Sequence, residues 1–270
     1  MIKIQWHYPK SLAEASSLLE IKNIIPHGGG TSLINRDFSH VVGLLNLTEL
    51  GLNYIKQDNA IIEIGSMSTY ADILTGLKSI SPDNILVKSL QNAANTPCRN
   101  RITIGGSISF APKWSDVIGA LLALEAKVVI TGKNDGEFLL SEYLEQKELR
   151  QQSLITAVKF KNFSHRSSHY REVKTKNDMP LFTITALLKM DKDQIEQAKV
   201  FIIGTTERIS QLIELENYLE NKLRLEISEE GIQNLVKVSF NGSRITDGDY
   251  LSHKAKIETA RTIFRAMEIS

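Results

Sequence analysis

One cysteine, Cys98, stands in 270 residues. A lone thiol cannot close an intrachain disulfide, and it cannot supply the ligands of a cysteine-based zinc site or an iron–sulfur cluster. No apolar run reaches the roughly 18 residues that a membrane-spanning helix needs. The segment MIKIQWHYPKSLAEA carries no secretory apolar core, so a cytoplasmic location is expected. An excess of one charge is missing as well. The 32 Lys and Arg against 31 Asp and Glu leave a net charge of +1, which excludes the basic field that drives nucleic-acid binding. The basic cluster Arg166, Arg171, Lys174 and Lys176 does not change this, because only Tyr170 offers it an aromatic platform.

What is present is ordinary globular material. Apolar residues make up 42% and charged residues 23%, which excludes disorder and fibrous repeats. At roughly 150 residues per domain the length predicts about two domains. A chain of this size buries about three-quarters of its unfolded surface and needs no staple.

The pattern is α+β. Strands are expected at Ile2–Trp6, Asn23–Pro26, Val41–Leu45, Ala60–Ile64, Lys127–Thr131 and Leu154–Lys161. A helix opened by Ser11 with Glu14 three residues on has the capping-box arrangement. Further helices are expected at Thr69–Ser79 and Val117–Leu124. The polar stretch Lys161–Asn177 reads as a loop and a domain boundary. Beyond it come strands at Leu181–Lys189 and Ala198–Ile203, then helices at Thr206–Leu223, Ser228–Val238 and Ser252–Met267. His165 and His169 within the boundary stretch could pair on a metal, or be surface histidines.

Two glycine segments carry the chemistry. His27–Ser32 (HGGGTS) follows a strand. Gly28, Gly29 and Gly30 expose backbone N–H groups without Cβ obstruction, and Thr31 and Ser32 add hydroxyl donors. Such a loop can wrap a pyrophosphate, or be a plain turn. It matches neither GxGxxG nor the P-loop. The second segment, RNRITIGGSI, repeats that chemistry with Thr103, Gly105, Gly106 and Ser107. Two donor-rich loops suit a dinucleotide clamped between subdomains. Asp116, just before the expected helix at Val117, reads either as its N-cap or as an acceptor for ribose or adenine.

The run NAANTPCRNRITIGGSISFAPKWSDVIGALLALEAKVVI resembles the flavoprotein subunit of the molybdenum hydroxylases, whose pattern is I-R-N-x-x-T-I-G-G-N, then Ser-Asp, then Leu-x-A-L-x-A. HGGGTSLI is similar to that family's A-G-G-T-D-L loop, IEIGSMSTYADI to its I-G-A-x-T-x-x-x-I segment, and HYREVKTKNDMPLFTITALL to the start of its C-terminal domain. The resemblance implies an FAD-binding domain of the vanillyl-alcohol-oxidase/PCMH type at 1–165, itself two α+β subdomains, and a small sheet-and-helix domain at 166–270.

It also implies non-covalent FAD between the domains, with the pyrophosphate lined by Gly28, Gly29, Gly30, Thr31 and Ser32 on one side. Thr103, Gly105, Gly106 and Ser107 would line the other. Asp116 falls on a position that contacts the adenosine half. Arg171 falls where relatives carry a lysine near the flavin, and otherwise reads as a solvated boundary charge. Asp178, Met179, Pro180 and Leu181 align with a loop beside the isoalloxazine. Covalent relatives place a histidine where this chain has Thr31, so no histidyl link is expected. No residue of this chain is expected to be catalytic in itself.

The family's electrons arrive from a large molybdopterin subunit through an iron–sulfur subunit with [2Fe-2S] clusters, and leave for NAD or another acceptor. An FAD-binding oxidoreductase subunit of such a complex is therefore expected. The alternatives are a stand-alone FAD-dependent reductase and a flavin-free structural homologue. The substrate would be bound by the molybdenum subunit.

Overall fold

A computed structural model describes residues 4–34, 36–176 and 178–268. Residues up to Ile80, Asn95–Ala111 and Glu125–Asn162 form one unit; Ser81–Ala94, Pro112–Leu124 and the chain from Phe163 onward form a second.

The first unit holds two sheets. The parallel sheet has β1 (Gln5–His7) and β2 (Ile24–His27) flanking β3 (Gly43–Asn46). The helix Leu12–Leu19 is capped by Ser11, whose Oγ accepts from the Glu14 amide at 3.2 Å. It buries Ala15 and Leu19 with Ile24, Leu45 and Leu47. The antiparallel sheet contains β4 (Ile55–Asp58), β5 (Ile61–Gly65), β6 (Lys127–Gly132), β7 (Gly136–Leu139) and β8 (Ser153–Lys161), in the order β4-β5-β8-β6-β7. β8 is central, and its residues 154–158 form the near-continuous buried run expected of a strand covered on both faces. The helix Tyr70–Ile80 buries Tyr70, Ile73 and Leu77 at helical spacing.

The second unit has one antiparallel sheet, ordered β12-β11-β10-β9, from β9 (Arg166–Glu172), β10 (Phe182–Asp191), β11 (Gln194–Ile203) and β12 (Ile209–Gln211). Phe182, Ile184, Ala186 and Leu188 share a core with Val200, Ile202 and the Ala255, Ala260, Ile263 and Met267 stripe of the long helix Gly248–Met267. On the opposite face Thr183 and Thr185 are fully buried. There a Cβ added to Gly119 of the helix Ile118–Ala123 would come within 2.8 Å of Thr185 Oγ1. Only a glycine lets that helix lie so close.

The second unit draws on segments from both sides of residue 165. The segments 81–94 and 112–124 belong with the C-terminal sheet because their helices, Ile85–Leu90 and Ile118–Ala123, cover its second face. The expected boundary loop Lys161–Asn177 contains β9, an edge strand held by backbone pairing to β10 despite its polar sequence. Its last residue, Asn177, lies outside the described residues, as do Ile2 and Lys3 of the first expected strand.

The helix expected over Thr206–Leu223 is reduced to Ile213–Leu219. Arg208 turns back at φ +74°, Ile209–Gln211 pairs with β11 as β12, and Asn221 at φ +64° follows the helix end. Ile213 is 57% exposed, so the apparent apolar stripe was never one buried face.

Candidate functional site

The triple-glycine loop follows β2 directly, and its shape is set by close backbone packing. A Cβ on Gly29 would fall 1.5 Å from the Arg101 carbonyl oxygen. Arg101 in turn donates from Nε and Nη2 to the Gly29 carbonyl at 3.2 and 3.1 Å. Gly28 packs on Thr103 and Met67, and Gly30 has φ +75° with the His27 ring against it. The two glycine segments, some seventy residues apart in sequence, are therefore brought into contact.

Among the described residues, no protein atom accepts from the backbone N–H groups of Gly28, Gly29, Gly30, Thr31 or Ser32, and the hydroxyls of Thr31 and Ser32 have no protein partner either. Consecutive unpaired amides on a partly accessible turn are a nest suited to an anion. The Arg101 guanidinium, anchored on the loop itself, adds positive charge beside it. Arg101 is a candidate that the sequence reading passed over, although it stands one residue before the I-T-I-G-G run.

The second segment differs from the expectation of a matching set of donors. Thr103 is the N-cap of the helix Ile104–Phe110. Its Oγ1 accepts from Gly106 N at 3.2 Å, and its carbonyl accepts from Ser107 N at 3.0 Å. Gly105 N donates to Ser66 O at 2.9 Å. The Ser107 hydroxyl donates to Thr103 O and lies 2.9 Å from the Tyr70 hydroxyl. These amides already have partners within the protein. What the glycines supply is closeness, since a Cβ on Gly105 would come within 2.7 Å of Ser66 Cβ.

The remaining candidates lie in the second unit. Asp116 is not the cap of the helix that follows it. The cap position is Val117, which has no side-chain cap bond, and Ser115 Oγ accepts from the amides of Val117 and Ile118 at 3.3 and 3.2 Å just ahead of the helix. Asp116 instead accepts from Arg171 Nε at 2.5 Å. Burial pushes its carboxyl up to about 6, and Arg171 opposes that rise.

Arg171 is thus not a solvated boundary charge. It also donates from Nη2 to the Asp178 carbonyl at 3.1 Å. Arg244, which no sequence signal marked, donates to the Met179 carbonyl at 2.6 Å, to Asp178 Oδ1 at 3.3 Å and to the Pro180 carbonyl at 3.5 Å. Two arginines hold the 178–180 loop by every one of its carbonyls.

His165 and His169 are each anchored separately through Nδ1. His165 Nδ1 is bonded to the Phe163 carbonyl and His169 Nδ1 to Thr185 Oγ1, and no group of three or more His, Cys, Asp or Glu among the described residues could hold a metal ion.

A family model described as the FAD binding domain in molybdopterin dehydrogenase matches residues 2–160. The chain belongs to this family. A glyceraldehyde dehydrogenase medium chain from Sulfolobus acidocaldarius is 27% identical over 229 residues, 79% of this chain and 80% of the relative. A carbon monoxide dehydrogenase medium chain from Hydrogenophaga pseudoflava is 28% identical over 153 residues, and the match spans about half of each chain, 51% and 52%. In fold, the chain matches a structure of carbon monoxide dehydrogenase from Hydrogenophaga pseudoflava that lacks the Mo-pyranopterin moiety, with TM-score 0.89 at 18% identity over 98% of this chain and 97% of that one.

This molybdopterin-dehydrogenase FAD-binding chain is an oxidoreductase subunit with the α+β architecture of that family. The unpaired amides of Gly28–Ser32 fit the doubly charged pyrophosphate of FAD. No helix among the described residues is long and apolar enough to cross a membrane.

Proposed function

We propose that this chain is the electron-transferring FAD subunit of a molybdopterin-dependent dehydrogenase. Electrons would reach its flavin from the iron–sulfur clusters of a partner chain, fed by a large molybdopterin subunit, and leave for NAD or another acceptor. The observation that carries the reading is the run of unpaired amides from Gly28 to Ser32 beside the anchored Arg101. Bound FAD supplies the redox chemistry, accepting and passing on electrons.

The protein's own residues bind and orient. The nest amides and the hydroxyls of Thr31 and Ser32 would hold the pyrophosphate. Thr103, Gly105, Gly106 and Ser107 would form a closely packed floor beneath the loop, not a second set of donors. Asp116, Arg171 and Pro180 would act through the braced 178–180 loop. The single cysteine cannot ligate a cluster, so any iron–sulfur centre serving this flavin is held outside these 270 residues. Attachment is non-covalent on this reading, since Thr31 occupies the position where a histidyl link would need an imidazole.

Acid precipitation of the purified holoprotein tests this. FAD should appear in the supernatant; FMN, or flavin that stays with the pellet, contradicts the reading. The isolated chain should leave purines and aldehydes unoxidised. Turnover of an organic substrate by this chain alone with NAD(P)H would favour the stand-alone reductase.

A further inference from the structure

The parallel sheet has two faces, because side chains alternate along each strand. Leu45 and Ile24 turn to the face packed with the helix Leu12–Leu19. The pairings Trp6↔Leu44 and Ile25↔Leu44 put Trp6 and Ile25 on the other face, together with Tyr8 and His27 two residues further along their chains. There the Trp6 ring meets the His27 ring edge-on, with centroids 4.9 Å apart, and stacks on Tyr8 at 6.3 Å with 23° between planes. His27 lies directly against Gly30 of the nest. A continuous aromatic shelf, Tyr8–Trp6–His27, therefore ends at the anion site. Its two large rings remain 53% and 43% exposed.

We infer that Trp6 and Tyr8 form a ring subsite, on which one planar ring system of the dinucleotide stacks while its pyrophosphate occupies Gly28–Ser32. This rests on the reading of that loop as the pyrophosphate site. FAD carries a ring system on each side of its pyrophosphate, so an aromatic surface that begins at the anion nest is placed for one of them. Stacking on Trp or Tyr needs no particular hydrogen-bond pattern, only an exposed π-face.

Calorimetric titration of the flavin-free full chain with FAD, ADP and FMN tests the inference. Trp6→Leu keeps an apolar side chain but loses the ring, and it should weaken FAD binding about tenfold or more, with Trp6→Phe restoring most of the loss. Tyr8→Ala, at the more exposed ring, should weaken it about threefold and provides the test if Trp6→Leu does not fold. A loss shared by ADP places the adenine on the shelf; a loss shared by FMN places the isoalloxazine there. A loss shared by neither counts against stacking. Unchanged FAD affinity in folded Trp6→Leu and Tyr8→Ala overturns the inference and leaves these rings to a partner protein. If the unaltered chain binds no FAD, the failure belongs to the nest reading.

Discussion

Arg171 Nε lies 2.5 Å from Asp116 Oδ1, and their side chains are only 8% and 11% exposed. Two residues 55 positions apart, each a candidate flavin contact on its own, are partners of each other. Their pairing couples the segment 112–124 to β9 and, through the Arg171 bond to the Asp178 carbonyl, to the loop 178–180.

Removing one partner should therefore hurt more than removing both. Asp116→Ala leaves a buried guanidinium unpaired and should destabilise the chain by about 3–5 kcal/mol, with or without FAD. The double variant Asp116→Ala/Arg171→Met should recover part of that loss. Ser115→Ala, which removes the hydroxyl that accepts from the Val117 and Ile118 amides, should cost only about 1 kcal/mol. Urea unfolding of the four proteins measures this. Equal losses for Asp116→Ala and Ser115→Ala would mean that the ion pair contributes nothing of its own.

The glycine loop yields a second expectation. Gly29→Ala drives a Cβ into the Arg101 carbonyl, so the cofactor-free chain should itself melt at lower temperature. If the variant lost FAD without any loss of cofactor-free stability, Gly29 would face the ligand and not Arg101.

Acid should weaken the second unit through His169. Its Nε2 is sealed from solvent without a partner, and Nδ1 is bonded to Thr185. Burial, with Arg171 adding to it, pushes the imidazole down to about 3 from 6.5. The folded state thus keeps it neutral while the unfolded chain protonates. Its contribution is complete above pH 6.5 and drains away as pH falls toward 3. At pH 5 the loss should be about 2 kcal/mol. His165, lowered in the same way by burial, acts in the same direction. His169→Asn should flatten the acid limb of the melting-temperature profile; an unchanged limb would exonerate this histidine.

Local pattern made much of this molecule legible. The capped helix at Ser11, the buried run of β8 and the glycines after β2 each follow from neighbours in sequence. What was hidden depends on tertiary pairing. β9 is polar and exists because β10 offers it an edge. The 206–223 stripe imitated a helix until β11 claimed Ile209–Gln211. Asp116 read as a cap because Ser115, one residue earlier, supplies the same chemistry. Arg244 braces a loop more than sixty residues away, which no spacing rule encodes.

Backbone amide exchange, followed residue by residue by NMR with and without FAD, tests the pyrophosphate assignment most directly. Gly28, Gly29, Gly30, Thr31 and Ser32 should exchange freely in the cofactor-free chain and become protected when FAD binds. Gly105, Gly106 and Ser107, whose amides already bond to Ser66 and Thr103, should be protected in both. Equal exchange of the Gly28–Ser32 amides with and without bound FAD would contradict the assignment.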